Sequence, residues 1–155
     1  MSQWLGFTNQ KLYQARLLLD ERRKQSSNPV MVTAMTEGAL YLMYDAWVSY
    51  LNELAGPAGV KQSVDSFERL LQITPLVTGE MTELKNLRDE TDSWLSIMLA
   101  MVADQAQPSS AQSGASAQAV QLIAVSRPTA TADARDLWQA LSDLIDSQRQ
   151  NRQES

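Results

Sequence analysis

A chain of 155 residues with 44% hydrophobic and 20% charged content is sized for one globular domain with a real core. It has no cysteine and no histidine, which excludes disulfides, thiolate nucleophiles, Ser-His-Asp triads and zinc or di-iron sites of the Glu-x-x-His type. The net charge of −5 is unevenly placed: residues 1–30 carry five basic against two acidic residues, the rest eight against sixteen, and so acidic a body argues against a duplex-binding surface.

The first helix is expected over residues 3–25. Leu5, Leu12 and Leu19 recur every seven residues with Ala15 on the same face, and Trp4, Phe7, Tyr13 and Leu18 widen the stripe. Ser26-Ser27-Asn28-Pro29 breaks it. Asn28 suits an N-cap, and Pro29 suits the first helical position, where no amide hydrogen is needed. A second helix over 28–54 should therefore run back antiparallel.

That second helix is the expected centre of the fold. On a wheel, Leu40, Met43, Trp47, Leu51 and Leu54 form a buried face, which Val32, Met35, Ala39, Leu42, Ala46 and Tyr50 extend. Glu37, Tyr41, Asp45, Ser49 and Asn52 form the one polar strip. So broad an apolar surface requires two or more neighbours. Gly56-Pro57 ends the helix.

A short helix is expected within 60–73, capped by Ser63 or Asp65 and presenting Val64, Phe67, Leu70 and Leu71. Thr74-Pro75 interrupts it. The segment from Thr78-Gly79 to Gln105 carries two apolar faces in compatible phase, and residues 88–93 between them lack a large apolar side chain. A kink or break is expected there, with a fresh cap at Glu90 or Asp92. Its most apolar run, 94–103, is about half of what a membrane span needs.

Residues 105–119, QAQPSSAQSGASAQA, have the composition of a flexible linker. Residues 120–126, VQLIAVS, read as an extended strip on the helices. A last helix capped by Thr131 presents Leu137, Trp138, Leu141, Leu144 and Ile145, and the polar tail 149–155 is expected to fray. The expected architecture is one all-α domain over 1–155: an antiparallel bundle of about four long helices plus a short one, with an extended low-complexity connection before the C-terminal helix.

Chemistry beyond the exclusions is sparse. No glycine-rich phosphate loop is present. The acids Glu80, Glu83, Asp89, Glu90 and Asp92 lack the spacing of a calcium loop. No cofactor, no metal and no catalytic constellation is expected. The start of the chain lacks the basic and apolar pattern of a secretory signal, so a cytoplasmic setting is expected. The candidate ligand or partner surface is Glu37, Tyr41, Tyr44, Asp45, Trp47 and Tyr50, with aromatic residues recurring every three along the second helix. Core packing is the plainer role for those rings and for the seven methionines.

Four stretches together resemble a known family: TNQKLYQARLLLDE at 8–21, EGALYLMYDAWVSYLNELAG at 37–56, GEMTELKNLRDETDSWLSIMLAMV at 79–102, and LIAVS before a Trp-containing last helix. The family is a domain of unknown function among small helical proteins of Pseudomonas-type gammaproteobacteria. The resemblance implies a cytosolic bacterial protein and brings no activity or site residues. A more distant likeness is to the small helical bundles of prokaryotic toxin and nucleotide-binding systems. Members of that group that cut RNA use Arg-x-x-x-x-His, which a chain without histidine cannot supply. The leading expectation is a non-enzymatic interaction module with a protein partner or a second copy. The alternative is a small-ligand binder with an apolar cavity near Tyr44, Trp47, Met98 and Met101. An enzyme using only carboxylates and tyrosine ranks last, and it would need Glu37 and Asp45 to converge with an acid of the 79–105 segment.

Overall fold

The computed structural model describes residues 3–108 and 132–154, and over these the chain is all-α. The helices are α1 (Gln3–Arg22), α2 (Pro29–Ala55), α3 (Phe67–Ile73), α4 (Gly79–Asp89), α5 (Trp94–Gln105) and α6 (Ala134–Glu154). A single 3₁₀ turn, Arg23–Gln25, extends α1. Most of the linker expected over 105–119, the strip 120–126 and Thr131 as the last cap lie outside the described residues.

The corner between α1 and α2 forms as the sequence requires. Asn28 is extended, and its Oδ1 accepts from the Met31 amide at 3.2 Å, with Pro29 at the first helical position. The helices then run antiparallel. Lys11 meets Asp45 at 3.6 Å, and Arg22 donates to Thr36 at 3.3 Å. Leu12, Ala15 and Leu19 are buried, whereas Leu5, Phe7 and Tyr13 lie at the surface. Helix α6 runs alongside α1 in the opposite sense: Arg135 pairs with Asp20 at 2.7 Å, Trp138 donates to the Leu12 carbonyl at 2.8 Å, and Arg149 donates to Asn9 at 2.8 Å.

Leu40, Met43, Trp47, Leu51 and Leu54 of α2 are buried, as the wheel predicts. Each such side chain contributes roughly 1.5–3 kcal/mol by leaving water. The burial is confined to one part of the helix. No residue of α2 before Ala39 is buried, and every residue from Ser49 to Ala55 is.

Four local expectations are corrected. Ser49 and Asn52 are buried, not on an exposed strip. The Ser49 hydroxyl lies 2.7 Å from that of Thr8, and both reach the Trp4 carbonyl, so two hydroxyl protons serve three contacts. Asn52 clamps the loop after α2, with Nδ2 donating to the Val64 carbonyl at 2.9 Å and Oδ1 accepting from the Val64 amide at 2.8 Å. The cap of α3 is Ser66, which accepts from the Arg69 amide at 3.1 Å, in place of Ser63 or Asp65.

The break between α4 and α5 occurs where expected, but its cap is Ser93 and not Glu90 or Asp92. A hydroxyl can accept and donate at once, whereas a carboxylate only accepts. Ser93 accepts from the Ser96 amide at 3.1 Å while donating to the Leu87 carbonyl, and Ser96 donates to the Arg88 carbonyl at 2.9 Å. The cap of one helix thereby satisfies the open carbonyls of the other. Lastly, the tail expected to fray is helical through Glu154, because Gln148, Arg149 and Arg152 are engaged with the body.

Candidate functional site

One side of α2 meets α5 incompletely and leaves a cleft of about 560 Å³. Tyr41, Tyr44 and Trp47 of α2 form one wall, and Leu99, Val102, Ala103 and Ala106 form the opposite wall. The start of α3 supplies Ser66, Phe67 and Glu68, and the end of α4 supplies Arg88. Trp47 and Phe67 pack tilted, with ring centroids 6.0 Å apart. A cleft of this size, mostly apolar with a few convergent polar groups, has the dimensions of a small-molecule site.

The polar end of the cleft is organised around Arg88. Its guanidinium lies over the Phe67 ring at 5.1 Å, and its Nη1 donates to Glu68 at 2.8 Å. Asp89 beside it is itself hydrogen-bonded by Lys85 at 3.0 Å, which holds the Asp89 carboxyl below its ordinary value.

Of the six candidate residues, the fold brings Tyr41, Tyr44 and Trp47 together in this cleft. Glu37 and Asp45 lie elsewhere: both are exposed, Asp45 faces Lys11, and the Glu37 carbonyl accepts from Gln105. Tyr50 departs altogether. Nine residues at about 100° each place it about half a turn away from Tyr41, on the opposite side of α2. The spacing of three therefore gives three rings to one wall and sends the fourth into the core. Of the cavity expected near Tyr44, Trp47, Met98 and Met101, the first two residues line the cleft, whereas fully buried Met98 and half-buried Met101 do not. Phe67, Arg88 and Glu68 were not singled out from sequence as a site, because they come together only when α3 and α4 fold back on α2.

Tyr50 instead belongs to a buried polar cluster that ties α6 to α2 and α4. Its hydroxyl donates to Gln148 Oε1 and accepts from Arg152 at 3.1 Å. Gln148 donates to Glu83 at 2.8 Å and to the Glu80 carbonyl at 3.3 Å. The next residue, Arg149, grips both oxygens of Glu53, which lies about one turn beyond Tyr50, at 3.1 and 2.8 Å. Burial pushes the Tyr50 phenol up to about 12, against the opposing pull of Arg152. Every group in the cluster has a partner, so it reads as structural.

No group of three or more acidic residues among the described ones is placed to hold a metal ion. No helix of the described residues is long and apolar enough to cross a membrane. A family model matches residues 1–155, and the chain belongs to that family, described as a family of unknown function, DUF6586. No curated protein and no solved structure matches the chain.

Proposed function

We propose that this member of the family is a non-enzymatic binding protein whose cleft between α2, α3 and α5 takes a small, mostly apolar ligand. The observation that carries the reading is the lining: four aromatic residues and an aliphatic wall enclose the cleft, with its charged groups gathered at one end. Aromatic side chains offer large contact area at low entropic cost. No cofactor and no nucleic acid enter this reading, and its setting is the cytosol of Pseudomonas-type bacteria, as the sequence resemblance implies.

Thermal-shift titration with a panel of aromatic and aliphatic compounds tests it. A ligand held at one hundred times its dissociation constant stabilises the folded state by about 2.7 kcal/mol. The expected result is a rise in melting temperature for a subset of compounds, abolished in Ala103→Trp, which fills the cleft from its exposed wall. A wild-type protein whose melting temperature no compound moves would overturn the reading.

A second reading, self-association, has its own observation. The unburied start of α2 presents Val30 at 80% and Met31 at 40% exposure. Sedimentation over a range of concentrations tests it: a dimer disrupted by Val30→Asp supports it, and a monomer at every concentration removes it.

A further inference from the structure

We infer that the ligand of the cleft carries a carboxylate on its apolar body, and that Arg88 is the group that selects it; the inference rests on the cleft being a binding site. The two charged side chains at the polar end differ in how firmly they are held. The Arg88 side chain is 25% exposed, and its guanidinium is stacked on Phe67, whereas the Glu68 side chain is 63% exposed. Recognition falls to the group that is already fixed, because little freedom is lost when it binds.

Glu68 behaves as a counter-ion that can be replaced. An exposed ion pair contributes little, so exchanging it for a ligand carboxylate costs little, and Glu68 is free to turn into solvent. The incoming carboxylate gains more, since the cleft walls shield it and the planar guanidinium matches its geometry. Asp89 also meets Arg88, but only at 3.5 Å from Nη2, and its other oxygen is held more closely by Lys85 at 3.0 Å, so it competes less than Glu68 does. The aromatic walls then take the body of the ligand. An organic cation would instead need Glu68 as its partner, and Glu68 is the more exposed of the two and already faces a guanidinium.

Three probes of one shape separate these cases: naphthoate, naphthylmethanol and naphthylmethylamine, titrated calorimetrically into the full chain. Naphthoate is expected to bind at least about tenfold more tightly than the alcohol, the scale of one charge-assisted contact. Glu68→Gln, an isosteric change at an exposed position, is expected to widen that ratio by removing the competing anion. Arg88→Gln, checked for native helicity, is expected to bring the ratio near one. Equal binding of acid and alcohol, or tightest binding of the amine, overturns the carboxylate inference and leaves the cleft reading standing. Failure of all three probes to bind overturns both.

Discussion

At Tyr50 a buried phenol makes the folded state sensitive to alkali. Its hydroxyl is raised from the ordinary 10.0 to about 12, first because burial penalises the phenolate. Between those two values the unfolded chain has lost this proton and the folded chain retains it, so stability falls as pH rises through that window. Below the unfolded value the contribution is complete. Tyr50→Phe should cost about 1–3 kcal/mol near neutrality, since it leaves buried Gln148 Oε1 without its donor and removes one of the contacts of Arg152. Urea unfolding at about pH 8 and about pH 11 checks both points: the gap between wild type and variant should narrow at the higher value. Arg149→Ala is expected to be more damaging, at about 3–5 kcal/mol, because it strands the carboxylate of Glu53, whose side chain is 4% exposed. The same unfolding experiment at neutral pH measures it, and a loss below about 1 kcal/mol would show the pair to be no better than a surface one. Neither role is legible in the chain. Glu53 and Arg149 lie 96 positions apart, and each taken alone looks like an ordinary surface residue of a helix.

At the scale of elements, local chemistry was read more reliably. The α1–α2 corner follows from Asn28-Pro29, because cap and rigid φ act over a few residues. The break after α4 follows from the lack of a large apolar side chain over 88–93, but the choice of Ser93 as cap does not, since Glu90 and Asp92 satisfy the same local rule. What selects Ser93 is its donation to Leu87, a contact that exists only once the two helices have turned on one another. Ser93→Ala should therefore lose both a cap and an elbow bond, destabilising by about 1–2 kcal/mol. Thermal unfolding checks it, and Ser93→Asp serves as the comparison: full rescue by the acid would mean that capping alone matters there.

For the molecule as a whole, the C-terminal turns of α6 tie that helix to α1, α2 and α4. A chain ending at Ser147 loses Gln148, Arg149 and Arg152 together, and it should unfold at a markedly lower temperature than Arg149→Ala alone. A melting temperature equal to that of the full chain would restore the reading of 149–155 as a frayed tail. The sequence by itself determined the all-α class, the helix phases and the buried face of α2, because periodicity and caps act within a few turns. It also determined which chemistries the chain lacks, since a missing residue type cannot be supplied by folding. Only the tertiary structure decided what the aromatic residues of α2 meet. Helical rotation carries Tyr41, Tyr44 and Trp47 round one side, and the approach of α3, α4 and α5 turns that side into a cleft with Arg88 at its end. The approach of α6 on the other side turns Tyr50 into core. Such contacts join positions far apart in the chain, and no local pattern of side chains encodes which partner will arrive.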